Sequence, residues 1–377
     1  MQKKLIALAV AGLASGAAYA QTNVTIYGAA DATFEVVQAK DASIGNDILR
    51  YNRVASNSSI LGFRGSEDLG GGLKAIFQFE GGVSLDQNTT LGFSRDTFVG
   101  LQGGFGQVKA GLITGPARSL GAAVDLTVGA TGIGANTAML GKLGGNVSAG
   151  GLGTGEAFSY WDTRRANSVQ YVTPKFGGFE VRAMYGAGEV RPQGTKAAAT
   201  YEIGGFYSNG PWYAGLTYGQ AKPNTAGYLT SNGMYGEKMT NIRLAGTYTF
   251  QAGHKISALF EQNKATDVTL IPAGQADVKS YTWGLGGKFK VSQPGAIIAQ
   301  FYQVTKLKGM DDANDFKANL LAIGYEHSLS KRTTVKAYYS RISNKDNAGY
   351  NYGIGNIAGA RPGSDPTGIS VGVRHSF

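Results

Sequence analysis

Apolar and polar residues alternate with a period of two along much of this chain. In VTIYGAADATFE, Val24 and Ile26 fall on one parity and Thr25 falls on the other. The segments LKAIFQFE (73–80) and FEVRAMY (179–185) repeat this pattern. The period is typical of β-strands whose two faces lie in different environments. Soluble sandwiches alternate as well, so the number of strands, their lengths and their connections must decide the fold class.

The sequence contains sixteen candidate strands. Many are about ten residues long, which is the length that a tilted strand needs to cross a bilayer. They begin near residues 24, 49, 73, 94, 105, 165, 177, 197, 212, 241, 255, 279, 296, 316, 333 and 368.

Short and long connections alternate between these strands. The short ones, rich in Gly, Asn, Ser and Pro as tight turns require, are 66–72, 102–104, 174–176, 208–211, 251–254, 291–294 and 328–331. The long ones are roughly 38–48, 85–93, 114–163, 188–196, 221–239, 264–278, 305–315 and 343–367. Short turns on one side and long loops on the other predict an all-β fold, a 16-stranded antiparallel transmembrane β-barrel.

The first twenty residues predict a secretory signal peptide. Lys3 and Lys4 precede an apolar run, and Ala18-Tyr19-Ala20 forms a small-residue cleavage site. We expect cleavage after Ala20 and a single barrel domain over 21–377. The chain contains no cysteine, so no disulfide can brace an exported protein of this length.

Basic residues outnumber acidic ones. Lys3 and Lys4 leave with the signal peptide, so the net charge falls from +10 to +8. An exported chain without a dense basic cluster is a poor candidate for nucleic-acid binding. If basic side chains line the lumen of a barrel, they would favour anions.

The longest connection, 114–163, differs in composition from the others. Over 121–155, Gly, Ala and Ser dominate, and Asp125 and Lys142 are the charged residues. Such a link would count against a compact soluble domain. Inside a barrel it can fold inward and narrow the lumen, because irregular backbone is tolerated where it lines water or is buried in protein.

Aromatic residues cluster at strand ends, mostly toward the short turns, where membrane proteins carry interfacial girdles. The predicted girdle comprises Phe98, Phe105, Tyr171, Phe176, Trp212, Tyr213, Phe250, Phe289, Tyr325 and Phe377.

Several segments, taken in order, resemble the trimeric general porins of the Gram-negative outer membrane, in their beta-proteobacterial form. They are VTIYGAADATFE, ILGFRGSEDLGGGLKAIFQFE (60–80), RDTFVGLQGGFGQVKAG (95–111), RRANSVQYVTPKFGGFEV (164–181) and the terminal VGVRHSF. The resemblance implies an integral protein of the cell outer membrane, in contact with its lipid, and a homotrimer. It also implies a third loop folded into the pore and passive diffusion of small hydrophilic solutes and ions.

In such porins, basic residues on the barrel wall face acidic residues on the third loop, and the field between them selects solutes by charge. The resemblance carries the wall role over to Arg64, Lys74, Arg95, Lys109, Arg164 and Arg165 and the loop role to Asp125. Glu80 also lies in the matching FQFE segment and is predicted to line the pore. Parity independently places Lys74, Glu80 and Lys109 on the polar faces of their strands.

The sequence departs from the family pattern at two positions and from its own parity at one. Ile60 and Leu112 stand where the family often carries arginine, so this chain has fewer basic residues on the pore wall than the family pattern. Arg95 shares the parity of apolar residues, so either a bulge intervenes or Arg95 lies above the membrane.

The terminal segment GISVGVRHSF predicts the sixteenth strand, which closes the barrel against VTIYGAADATFE. An open sheet edge in lipid would leave backbone groups unpaired. The resemblance further implies that Phe377, the last residue, helps the barrel-assembly machinery to recognise the chain.

An enzyme is not indicated. His254, His327 and His375 lie in or beside short turns or at the C-terminus, away from any grouped acid–base set. No Cys/His spacing suits a metal, so neither a metal nor a cofactor is expected. A substrate-specific channel on the same fold remains an alternative, and a surface adhesin role stays open.

Overall fold

The computed structural model describes residues 23–43, 45–88, 91–144, 160–188, 197–222, 238–270 and 274–377. The expected signal peptide, 1–20, lies outside these ranges, and so does the end of the glycine-rich stretch from 145 to 155. Within the described ranges, no helix is long and apolar enough to cross a membrane.

Sixteen antiparallel strands form one closed sheet, as the sequence predicts. They are β1 (Asn23–Lys40), β2 (Ile48–Ser56 and Ser59–Gly70), β3 (Leu73–Val83), β4 (Thr97–Gly103), β5 (Gly106–Thr114), β6 (Arg164–Val172), β7 (Phe179–Ala187), β8 (Ala199–Asn209), β9 (Trp212–Lys222), β10 (Lys238–Thr249), β11 (Lys255–Leu270), β12 (Gly274–Lys290), β13 (Gly295–Val304), β14 (Ala318–Ser328), β15 (Thr333–Asn344) and β16 (Asp365–Ser376).

Strand β2 is interrupted but remains one strand, because both of its segments pair with β1. Ser58 at the break adopts a left-handed backbone with φ +53°. Asn57 turns into the lumen and donates from Nδ2 to Oγ1 of Thr33 at 2.8 Å. The interruption therefore directs a polar side chain inward without opening the sheet.

The barrel closes between β1 and β16. Their register runs from Ala29 opposite Ser376 to Lys40 opposite Asp365. Phe377 extends the ladder, since its N–H donates to the Gly28 carbonyl at 3.0 Å and its carbonyl accepts from the Gly28 N–H at 3.1 Å. The predicted closing strand is thus confirmed, and β1 is paired on both sides, with β2 and with β16.

The two faces of each strand differ as the alternation requires. In β16, Ile369 and Val371 expose 55% and 59% of their surface on the outside, while Ser370 between them is buried on the inside. Cross-strand partners share a face, so each outward apolar residue continues a band around the barrel. This band is the surface that meets the hydrocarbon of a membrane.

Eight of the ten predicted girdle aromatics are exposed, as an interfacial belt requires. The prediction is wrong for Phe98 and Tyr213. Tyr213 directly follows the exposed Trp212, and successive strand residues point to opposite faces. Phe98 pairs with Gln78, whose face is the lumen, and Lys109 lies over its ring with Nζ 5.0 Å from the ring centroid.

The connection after β5 contains helix α1 (Pro116–Val124) and two short 3₁₀ turns, Val128–Ala130 and Asn136–Ala138. A third 3₁₀ turn, Ala313–Phe316, precedes β14. The main apolar core lies within the lumen, between this connection and the barrel wall. Its members include Leu120, Ile133, Met139, Leu140, Tyr302, Leu320, Tyr350 and Tyr352.

Candidate functional site

The connection after β5 folds into the barrel and packs against its inner wall. Helix α1 begins with Pro116, which suits the first turn because its missing N–H would have no partner there. Leu120 packs against Gly215, and Trp161 packs against Gly219, both on β9. A Cβ on Gly219 would lie 2.4 Å from the Trp161 ring, so only glycine allows this close approach.

Asp125 holds the shape of this loop from within. Its Oδ1 accepts from Thr127 N at 2.8 Å and from Thr127 Oγ1 at 2.7 Å, and its Oδ2 accepts from Asn136 N at 2.6 Å. Gln300 on β13 donates to Oδ1 at 3.4 Å. Burial raises the pKa of Asp125 above its usual value, and these hydrogen bonds oppose the rise.

Asp125 therefore does not face the basic wall, contrary to the expectation from sequence. Only 7% of its surface is exposed, because the loop turns its carboxylate toward its own backbone N–H groups. Lys142, the other charged residue of the stretch, is buried as well and donates from Nζ to the Ala138 carbonyl at 2.6 Å. Burial lowers the pKa of Lys142 to about 8.

A buried ion cluster fastens the two ends of the loop to the wall. Arg243 on β10 is fully buried, pairs with Glu261 on β11, and donates from Nη1 to Asp162 Oδ1 at 3.0 Å. The same Nη1 donates to the Ala117 carbonyl at 2.6 Å. Because Ala117 begins the loop and Asp162 ends it, one guanidinium ties both ends to the barrel.

The last long connection, 345–364, also folds inward, a position that was not predicted from the sequence. Tyr350 and Tyr352 are buried in the same apolar core as Leu120 and Leu140 of the connection after β5. Arg53 on β2 pairs with Glu35 at 2.8 Å and donates from Nη1 to the Asn356 carbonyl at 2.9 Å. Arg53 thus joins the barrel wall to a second inward loop.

Helix α1 packs against β7 to β11, and the polar cavities of the lumen are lined mainly by residues of β2 to β7 and the segments between them. Among these residues, Arg95 donates from Nε to Glu80 Oε1 at 2.5 Å, and Tyr27 donates to Glu80 Oε2 at 2.9 Å. Strand β4 begins only at Thr97, so Arg95 lies in irregular backbone before the strand. The alternation of the strand therefore does not decide which way Arg95 points. Its side chain reaches the lumen without a charge facing lipid.

Arg164 and Arg165 follow each other on β6, and each has a carboxylate partner inside the barrel. Arg164 pairs with Asp96 at 3.1 Å. Arg165 pairs with Glu202 at 3.4 Å and lies over the Tyr160 ring, 4.1 Å from its centroid. Burial opposes ionisation of Asp96, but Arg164 and the hydrogen bonds from Thr114 hold its pKa below the usual value.

Arg64, Lys74 and Lys109 face the lumen nearer to the short turns. Arg64 and Lys74 are opposite Gln78 and Gln102, and Lys109 is opposite Gly100. Arg64 lies over the Tyr27 ring at 5.0 Å. The predicted basic residues therefore lie inside the barrel, with Arg64, Lys74 and Lys109 nearer to the short turns than Arg95, Arg164 and Arg165. That they line the constriction stays a prediction.

Further basic residues inside the barrel were missed from sequence, among them Arg53, Arg118 and Arg182. Arg53 and Arg182 occupy inward positions that strand parity could have indicated. Arg118 lies on α1, and nothing in the sequence signals where a loop helix will point. Its Nη1 lies 3.8 Å from Asp162 Oδ2.

Two polar cavities adjoin the Asp96–Arg164 pair. The outer one, about 950 Å³, is lined by Arg53, Arg95 and Arg164. The inner one, about 470 Å³, is lined by Asp96, Lys109 and Arg182. Arg164 thus borders one cavity and its partner Asp96 borders the other, which places this pair between the two cavities.

Most ion pairs inside the barrel share one asymmetry, in which the side chain of the cation is more exposed than the side chain of its anion. The exposed fraction of the side chain is 17% for Arg53 and 1% for Glu35. It is 23% for Arg118 and 2% for Asp162. Arg95, Arg165, Arg182, Lys288 and Arg374 show the same order with their partners, while Arg164 and Asp96 reverse it. Water in the lumen therefore meets mainly positive groups.

Comparisons with known proteins agree with this architecture. A model of the Gram-negative porin family matches residues 7–347. Outer membrane porin protein 32 of Delftia acidovorans is 34% identical over 384 residues and covers all of both chains. Major outer membrane protein P.IB of Neisseria gonorrhoeae is 30% identical over 358 residues, which is 89% of this chain and 92% of that protein.

Among solved structures, the anion-selective porin from Comamonas acidovorans superimposes with a TM-score of 0.75 at 29% identity, covering 95% of this chain and all of that one. The barrel, its inward loop and these relatives lead to one conclusion. The chain belongs to the Gram-negative porin family and forms a passive diffusion pore in the outer membrane.

Proposed function

We propose that this pore admits small hydrophilic solutes and ions with a mild preference for anions, without catalysis or a cofactor. The observation that carries the proposal is the order of charges along the passage, in which the arginine side chains are more exposed than their carboxylate partners. A solute in the lumen thus passes a positive wall. The similar Comamonas protein, described as anion-selective, supports the same direction. Members of this family are channels.

We assign the central selectivity to Arg95, Arg164 and Arg165, with Glu80 tempering the charge of Arg95. Lys109 extends the basic wall inward, and Arg64 and Lys74 line the mouth on the short-turn side. Planar-bilayer recording of the purified protein is the direct test. Stepwise conductance increases are expected, and a lack of steps from correctly folded barrels would refute the pore itself.

We also propose that the barrel functions as a homotrimer, as the resemblance implies. Strand β4 has 7 residues and is shorter than the about ten residues needed to cross a bilayer. Asn52 on β2 points outward, on the same face as the exposed Val54. A polar side chain at this position is better accommodated by contact with another protein subunit than by contact with lipid. Mass measurement of the detergent-solubilised protein tests this state: a mass of three chains is expected, and a monomer in mild detergent would contradict it.

We further propose that Phe377 takes part in recognition by the barrel-assembly machinery before insertion into outer-membrane lipid. Its ring packs directly on Gly28, where a Cβ would lie 2.5 Å from the Phe377 ring. Removal of Phe377 should lower the amount of assembled barrel in the outer membrane more than it alters the conductance of the barrels that do form. Normal assembly without Phe377 would contradict this role.

A substrate-specific channel on the same fold is the second candidate. The inward position of 345–364 and the Arg53 contact to it favour this reading, because they narrow the outer mouth with fixed groups. Current block that saturates with one class of solute would support specificity. Current block that does not depend on the class of solute would support the general pore instead.

A further inference from the structure

Three lysines lie side by side at the long-loop ends of neighbouring strands. Lys264 on β11 is directly opposite Lys279 on β12, and Lys279 is paired with Lys308 in the segment after β13. Lys279 N donates to the Lys308 carbonyl at 3.0 Å, and Lys308 N donates to the Lys279 carbonyl at 2.9 Å. Adjacent strands are about 5 Å apart, so this lysine row places three positive charges along roughly 10 Å.

The lysine row faces the outside of the barrel. Val278, beside Lys279, and Leu307, beside Lys308, are both fully buried on the inside. Asn263, beside Lys264, is likewise buried in the lumen. Because neighbouring strand residues point to opposite faces, the three ammonium groups point toward the membrane side.

The positive charge of the row is only partly balanced by protein. Like charges directly opposite each other destabilise a sheet. In the part of the chain that the structure describes, one carboxylate forms an ion pair with the row: Asp277 Oδ2 lies 2.6 Å from Lys264 Nζ. Lys238 on β10 also interacts electrostatically with Asp277, so a fourth cation lies near the lysine row.

Aromatic rings fix the depth of the row in the membrane. Lys279 and Lys308 place their Nζ atoms 5.5 Å and 5.8 Å from the centroid of the Tyr281 ring. Tyr281 stacks on Phe260, with ring centroids 5.8 Å apart, on the outward face. Tyrosine at such positions marks the membrane–water interface, so the lysines stand at headgroup level directly above the apolar band.

We propose that Lys264, Lys279 and Lys308 form a binding site for a phosphate-bearing lipid headgroup of the outer leaflet. Phosphates supply the negative charge that the row lacks, and acyl chains would lie along Phe260 below it. Lysines near an anionic membrane surface each strengthen binding by about fivefold. A free anion would gain from the charges but not from the adjacent apolar face.

The test is native mass spectrometry of the detergent-solubilised, full-length protein titrated with diphosphorylated lipid A and with its dephosphorylated analogue. The wild type should bind the phosphorylated lipid at least tenfold more tightly than the analogue. Lys279→Gln/Lys308→Gln should lose about tenfold or more of that affinity. Lys290→Gln/Lys331→Gln, with the same charge change at the short-turn end, should bind like the wild type.

Asp277→Asn provides a change in the opposite direction, because it releases Lys264 and should tighten binding severalfold. Unchanged affinity in Lys279→Gln/Lys308→Gln, or equal binding of the dephosphorylated analogue, would overturn the proposal. Inorganic phosphate is the third arm. If millimolar phosphate displaces the lipid completely, the row is a site for free anions and not for a lipid.

Discussion

Arg95 donates to Glu80 at 2.5 Å, and of the two side chains the guanidinium is the more exposed to lumen water. Arg95→Gln removes that exposed charge and leaves the Glu80 carboxylate without its cation. We expect the anion-to-cation permeability ratio to fall roughly twofold, because the local field in the passage weakens. Reversal potentials in a salt gradient measure this ratio. Lys331→Gln, in the short turn 328–331, is the control and should leave the ratio unchanged.

Asp125→Asn tests whether the buried carboxylate shapes the inward loop. An amide has one oxygen, so the N–H group of either Thr127 or Asn136 would lose its acceptor inside the loop. Leaving a buried donor unpaired costs about 1–3 kcal/mol. We expect noisier single-channel current and earlier thermal unfolding, while the mean selectivity changes little. Asp86→Asn on an exposed loop is the matched control, and equal behaviour of the two variants would argue against the loop role.

Acidification should release Asp96 from Thr114 and Arg164. The folded-state pKa of Asp96 lies below its usual value of 3.8, so its stabilisation is complete above that value and is lost as the pH falls through the folded pKa. Conductance should therefore be insensitive to this carboxylate between pH 7 and about pH 4 and should change below it. Asp96→Asn should abolish that acidic transition. A transition that persists in the variant assigns the effect to another group.

Arg243→Met leaves Glu261 and Asp162 buried without their shared guanidinium. Breaking a buried ion pair from one side costs about 3–5 kcal/mol. We expect a clear drop in the temperature at which the barrel loses its folded gel mobility. Arg182→Met removes an arginine from the half-exposed pair with Glu180 and should cost at most about 1 kcal/mol. Similar losses in both variants would contradict the anchoring role of Arg243.

The barrel could be predicted from sequence because its information is local and periodic. A one-residue shift would turn every apolar side chain of a strand into the lumen, so segments such as GISVGVRHSF fix their own faces. Closure followed from the same pattern, since a free edge cannot lie in lipid. Parity predicted the polar faces of their strands for Lys74, Glu80 and Lys109, and that these residues line the constriction stays a prediction.

The interior of the pore could not be predicted to the same degree. Asp125 turned away from the passage because its loop needed an acceptor for its own N–H groups, and such needs depend on a non-periodic backbone. Arg118 faces the passage through the orientation of one short helix. Arg53 gained its contact to Asn356 from a loop about three hundred residues away in sequence. These positions depend on tertiary packing, which leaves no periodic pattern in the sequence.

The most direct test of the positive passage is the reversal potential of the wild-type pore in a potassium chloride gradient, measured beside Lys109→Glu. The wild type should show the sign of chloride preference, and Lys109→Glu should move the potential toward cations, because a charge that faces the lumen is inverted. A cation-selective wild type would contradict the account of the charge order. An unchanged potential in Lys109→Glu would remove Lys109 from the selective wall.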